Sequence, residues 1–136
     1  MKIPDWLTCY GDMAYRGECA SETMEQVTFF GRLRRVYPDT LGKIAVHPRN
    51  EGKRTFNQTN RQKAEGMTTG ASDIIIPGEP SFVCELKRRD HAKSIWQDGQ
   101  IAYLEASKAN GSFVCVALGA DAAWEALQKW IDRVEK

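Results

Sequence analysis

An apolar strand that ends in two charges, Phe82-Val83-Cys84-Glu85-Leu86-Lys87, limits the architectures open to this chain. Successive strand side chains point to opposite faces, so Glu85 and Lys87 share one face and Leu86 takes the other. Phe82-Val83-Cys84 has the character of a buried strand, and charges in that setting need a partner that offsets their desolvation. Upstream, Asp73-Ile74-Ile75-Ile76 reads as a second strand, with Pro77-Gly78-Glu79-Pro80 as the turn between. This hairpin returns Asp73 to the side of Glu85 across an eleven-residue gap. Two carboxylates then converge beside one ammonium. Like charges at one site repel, and a cation resolves the repulsion. All-oxygen donors suit a hard ion, Mg²⁺ or Mn²⁺. Alone, an E-x-K triplet is weakly specific, and its ordinary meaning is a solvated charge pair on an edge strand.

The flanking segments predict the rest of the fold. Ser21 can cap a helix that runs to about Val36 and stops before Pro38. Lys43 to His47 is a short strand candidate, and 48–55 is a polar loop. A short helix over about Gln58 to Glu65 ends at Gly66. A long helix over Ala92 to Ala109 ends at Asn110-Gly111. Phe113 to Leu118 is continuously apolar, as expected of a strand covered on both faces. The last helix, about Asp121 to Val134, puts Ala123, Trp124, Leu127, Trp130, Ile131 and Val134 on one stripe. The expected class is α/β, a mixed central β-sheet flanked by helices. No repeat or linker divides the chain, so residues 1–136 are expected to form a single domain: an irregular lead over 1–20, a core over 21–119 and a C-terminal helix over 120–136.

Composition excludes little by itself. Of the 136 residues, 42% are hydrophobic and 27% charged, and the net charge is +1. Basic residues cluster at Arg32-Leu33-Arg34-Arg35, between Arg49 and Lys63, and at Lys87-Arg88-Arg89. Such patches fit a protein that meets nucleic acid on one face, or a solvated charged surface. No stretch is apolar enough to span a membrane, and the N-terminus has no apolar signal region, so a cytoplasmic protein is expected. Cys9, Cys19, Cys84 and Cys115 form no C-x-x-C pair, which disfavours structural zinc and favours reduced thiols.

Three further features could belong to a site. Glu22 falls at the centre of the arc holding Phe29, Phe30, Leu33 and Val36, with Glu25 at its edge. A carboxylate there needs a cation, unless it serves only the helix dipole. Gln100 borders the apolar side made by Ile95, Trp96, Gly99, Ala102, Tyr103 and Ala106, and Gln97 falls on the solvent side. In the loop, Asn50, Lys53 and Arg54 could hold phosphates, or the loop could be a plain connection. His47 is a general acid or base, or a structural strand-end residue.

In the ordered set of its motifs the chain resembles the VRR-NUC nucleases, a branch of the PD-(D/E)xK superfamily. The resemblance spans Ser21 to Gly119. It rests on Ser21-Glu22-Thr23-Met24-Glu25-Gln26, His47 through Arg54, Gly66 through Ile74, Cys84-Glu85-Leu86-Lys87, and Gln100 followed by Gly111. It implies a restriction-endonuclease-like core. It also implies metal ligation by Asp73, Glu85 and the Leu86 backbone carbonyl, with Lys87 placing the attacking water. Gln100 and a first-helix glutamate, assigned as Glu22 with Glu25 the alternative, would stand beside the site. Asn50, Lys53, Arg54 and Arg88 would contact DNA. The implied activity is a Mg²⁺- or Mn²⁺-dependent endodeoxyribonuclease, selective for branched DNA such as Holliday junctions and working as a homodimer in a bacterial or phage-infected cell. Alternatives are a sequence-specific restriction-type nuclease and a silent nucleic-acid-binding subunit. Trp6, Trp124 and Trp130 are dimer-interface candidates if they do not fill the monomer core. Residues 1–20 match nothing in the family.

Overall fold

Two apolar strands set the centre of the molecule. The structure is a computed structural model that describes residues 1–48 and 56–135. Strand β1 is Cys9–Tyr10, β2 is Ile74–Ile76, β3 is Phe82–Lys87 and β4 is Phe113–Leu118. Strands β3 and β4 run parallel, with Phe82 beside Phe113 and Lys87 beside Leu118. The hairpin closes β2 antiparallel onto β3, with Ile74 opposite Cys84. The sheet order is β1-β4-β3-β2, so the sheet is mixed.

Strand alternation divides the core into two layers. Phe82, Cys84 and Leu86, with Ile74, Ile76, Cys115 and Ala117, face helices α1 (Glu22–Val36) and α5 (Ala120–Val134). Val83 and Val116 face the other way, onto Leu104 of α4 (Gln100–Ala109) and Leu7 of the lead. Full burial of such side chains contributes about 1.5–3 kcal/mol each. Helix α1 begins where the sequence places it: the Ser21 hydroxyl accepts from the Met24 backbone N–H at 3.2 Å. Helix α5 buries Ala123, Leu127 and Trp130 of the expected stripe. Trp130 also donates its indole N–H to the Pro80 carbonyl at 2.7 Å, which fastens α5 to the hairpin turn. Helix α3 (Phe56–Ala64) matches the expected short helix. All four cysteines are free. Among the described residues no helix is long and apolar enough to cross a membrane.

Several expectations need correction. Residues 43–47 do not form a strand. Leu41–Ile44 is a helical turn, α2, and Val46 alone bridges to Ile75. The cause is a close backbone approach at Gly42, whose N–H donates to the Tyr37 carbonyl at 2.9 Å. A Cβ there would sit 2.6 Å from that oxygen. The helix expected over 92–109 is broken. A short 3₁₀ turn, His91–Lys93, is capped by Asp90, and α4 starts only at Gln100, after Gly99 at φ +85°. The lead is not wholly irregular, because β1 adds parallel to the edge of β4. Trp130 lies in the monomer core, and Trp124 packs on Phe29 and Tyr37 beneath the Arg32 guanidinium.

Candidate active site

Glu85 and Lys87 continue the Val83 face of β3, as the two-residue period requires. On that face α4 has not yet begun, and a polar cluster takes the place of an apolar layer. Glu85 is fully buried and Lys87 is 1% exposed. Their charged atoms, Oε1 and Nζ, stand 4.0 Å apart. Lys87 Nζ donates to the Ile95 carbonyl at 2.7 Å and to Gln100 Oε1 at 2.9 Å. Gln100 Nε2 in turn donates to Glu85 Oε1 at 2.9 Å. One amide thus reads both charges, giving its oxygen to the ammonium and its nitrogen to the carboxylate. Its oxygen also accepts from the Gln97 N–H, which fixes the start of α4.

Asp73 enters from the end of β2. Its Oδ2 accepts from the Leu86 N–H at 2.9 Å, which brings its carboxylate to β3. Its own carbonyl accepts from His47 Nδ1 at 2.9 Å. Burial pushes the Glu85 carboxyl well above the usual carboxylate range, and the Asp73 charge adds to the push, while Lys87 opposes it. Glu85 Oε2 is buried without a hydrogen-bond partner.

Of the two first-helix acids, Glu22 turns to this cluster and Glu25 does not. Glu22 Oε1 lies 3.9 Å from Lys87 Nζ, and Oε2 accepts from the Ser94 hydroxyl at 2.9 Å. Glu25 instead accepts from the Ala120 N–H at the start of α5. A cleft of about 480 Å³ opens over the cluster and is lined by Glu22, Thr23, Thr69, Asp73, Gln97 and Gln100. Gln97, expected on the solvent side of a helix, lines this cleft because it lies in the break, ahead of the start of α4 at Gln100.

The cleft wall depends on two glycines. Gly70, at φ +80°, presses on the backbone of Gly99, and a Cβ on Gly70 would overlap the Gly99 carbonyl carbon. Gly70→Ala is therefore expected to cost about 2 kcal/mol or more, from left-handed strain and the overlap together. Urea denaturation would measure it, and an unchanged midpoint would contradict this packing.

Not every sequence candidate reaches the cluster. Arg88 gives Nε to the Ala20 carbonyl and Nη2 to the Cys19 carbonyl, each at 3.0 Å, so its guanidinium is engaged with the lead. Asn50, Lys53 and Arg54 lie outside the described residues. Sequence reasoning missed Ser94, the Ile95 carbonyl and the Trp96 ring, whose centroid is 5.2 Å from Lys87 Nζ. A segment read as regular helix gave no sign that its backbone would turn to the lysine.

Among the described residues no three His, Cys, Asp or Glu side chains cluster as a metal site. The two carboxylates nevertheless suit a hard cation, because the unpartnered Glu85 oxygen has the Asp73 carboxylate as its charged neighbour.

No protein-family profile matches the chain, and no curated protein matches it in sequence. Among solved structures it is similar to a protein described as "VRR_NUC domain protein", with a TM-score of 0.68 and 20% identity, over 87% of this chain and 92% of that one. The two share a fold, and in this chain it is a central mixed sheet flanked by helices, the expected class.

Proposed function

We propose that this protein is a divalent-metal-dependent DNA endonuclease that selects branched DNA. The observation that carries the reading is the buried Glu85 carboxylate, left with one oxygen unpartnered while Asp73 repels it and Lys87 stands fixed alongside. Burying such a pair is costly unless a cation joins them. Asp73, Glu85 and the Leu86 carbonyl would hold Mg²⁺ or Mn²⁺. When bound, the ion would supply water activation and charge stabilisation at a scissile phosphate.

The chain's own residues do the rest. Lys87 is held by the Ile95 carbonyl and Gln100 Oε1, so its ammonium is positioned before substrate arrives. There it can orient the attacking water and stabilise the phosphate oxygens. Gln100 ties Glu85 Oε1 and Lys87 Nζ together through one amide. Glu22 faces the cleft with its side chain 41% exposed, where it can accept a proton from water. Paired cuts across a branch need two centres, so a homodimer belongs to the same reading.

Glu22→Gln is expected to lower turnover about tenfold to a hundredfold, the range for outer groups of a metal site. Glu25→Gln should leave turnover unchanged. A damaging Glu25→Gln with a silent Glu22→Gln would reverse the assignment.

The test incubates the protein with a four-way junction, plain duplex and single strand, with Mg²⁺ or Mn²⁺ and then EDTA. Junction cleavage that EDTA stops is expected, from a protein that sediments as a dimer. A strict monomer that cuts plain duplex equally well would overturn the branched-DNA reading. No cleavage of any substrate would overturn the nuclease reading itself.

A further inference from the structure

We infer that Ser94 and Arg88 are positioning residues that hold Glu22 in the cleft against Lys87. The inference rests on the cleft being the nuclease centre. Lys87 is the last residue of β3, and both clamps begin one residue later.

The first clamp runs through Ser94. The Arg88 backbone N–H donates to the Ser94 hydroxyl at 3.1 Å, and that hydroxyl donates to Glu22 Oε2 at 2.9 Å. Ser94 is 3% exposed, so its single proton has a defined acceptor. The second clamp is the Arg88 side chain. Its guanidinium takes the carbonyls of Cys19 and Ala20, the two residues before the Ser21 cap. It therefore sets where α1 begins, and Glu22 is the first residue of that helix.

The same seam is sewn further along. The Gly17 N–H donates to Asp90, the Lys93 ammonium donates to the Gly17 carbonyl, and His91 Nε2 donates to the Met13 carbonyl. Residues 13–20, which match no motif, are thus tied to the segment that follows the catalytic strand. A glutamate in the first turn of a helix, with much of its side chain in solvent, would otherwise sample several rotamers. The one held by Ser94 brings Oε1 to 3.9 Å from Lys87 Nζ. A basic run such as Lys87-Arg88-Arg89 invites a phosphate-contact reading for Arg88, but these two hydrogen bonds direct its side chain to the lead.

The test combines Ser94→Ala, Arg88→Ala and Arg88→Lys with Glu22→Gln in double-mutant cycles. Turnover and KM are measured on the four-way junction with Mn²⁺, and DNA affinity is measured against salt with Ca²⁺ in place of Mn²⁺. Ser94→Ala is expected to lower kcat about tenfold with KM unchanged, in the range for groups that orient a ligand shell. In the Glu22→Gln background it should add no further loss. Arg88→Ala should behave likewise, Arg88→Lys should recover part of the rate, and the DNA affinity and salt slope should stay at wild-type values. Additive losses would overturn the clamp. A salt slope reduced by about one in Arg88→Ala would mark a phosphate contact instead. Should the wild-type protein cut no DNA, the nuclease reading fails but the clamp is still read from thermal unfolding of the metal-free protein. Non-additive destabilisation by Ser94→Ala and Glu22→Gln supports it, and additive destabilisation overturns it.

Discussion

Glu85→Gln is expected to abolish metal-dependent cleavage and, in the same protein, to raise stability in the absence of metal. The two effects share one cause. The Glu85 carboxyl is fully buried beside another carboxylate, which disfavours its charged form, and no described side chain or backbone group pairs with Oε2. As a cation ligand it is useful, and without the cation it is a liability. Loss of a group worth several kcal/mol in the transition state lowers the rate by about 10³-fold or more. Glutamine keeps an acceptor for Gln100 and puts an N–H₂ donor towards Asp73, so the metal-free fold should gain about 1–2 kcal/mol. The pH dependence has a definite sign. The folded-state pKa of Glu85 is raised well above the ordinary 4.5. The native protein therefore binds this proton more tightly than the unfolded chain does. That contribution is fully present below the unfolded value and is lost as pH rises through the folded one. The glutamine amide of the variant does not titrate, so its stability advantage should widen between about pH 5 and about pH 8. Thermal unfolding in EDTA at both pH values measures it. A gap that narrows as pH rises would contradict the electrostatic picture.

Lys87→Met is expected to have the second large effect, and here activity and stability fall together. The ammonium is almost fully buried, and it satisfies the Ile95 carbonyl and the Gln100 amide oxygen. It also stands within 4.0 Å of both Glu85 and Glu22. Methionine preserves the length and apolar volume of the stem but supplies no donor. Removing one partner of a buried pair costs about 3 kcal/mol, and loss of a positioned charge that stabilises the phosphate oxygens lowers turnover about 10²- to 10³-fold. Combining it with Glu85→Gln should recover part of the stability and none of the activity, because the unpaired carboxylate is then gone. Urea denaturation of the two single variants and the double variant gives the coupling. Strict additivity would mean that Lys87 and Glu85 do not depend on each other.

What was legible in the sequence was local. The strand period alone places Glu85 and Lys87 on one face, and the turn at Pro77 to Pro80 returns Asp73 to β3. The Ser21 cap, the apolar run of β4 and the stripe of α5 likewise need only neighbours in sequence. The failures were tertiary. A glycine such as Gly99 is tolerated inside an amphipathic pattern, so the break before Gln100 was invisible until Lys87 could be seen taking the Ile95 carbonyl. The helical turn at Leu41 to Ile44 depends on Gly42 meeting the backbone of Tyr37. Strand β1 is two residues long and exists because β4 offers it an edge. The basic run at Lys87-Arg88-Arg89 shows charge but no direction: Lys87 joins the cluster, Arg88 takes two carbonyls of the lead, and Arg89 covers the Tyr15 ring of the same lead.

The most direct test of the centre is a Mn²⁺ titration of the wild-type protein, followed by the electron paramagnetic resonance signal of the free ion, beside Asp73→Asn and Glu85→Gln. Wild-type protein should remove Mn²⁺ from solution at a site that both variants lose, since neither carboxylate alone balances the ion. Undiminished Mn²⁺ binding by either variant would contradict a centre in which Asp73 and Glu85 hold one cation together.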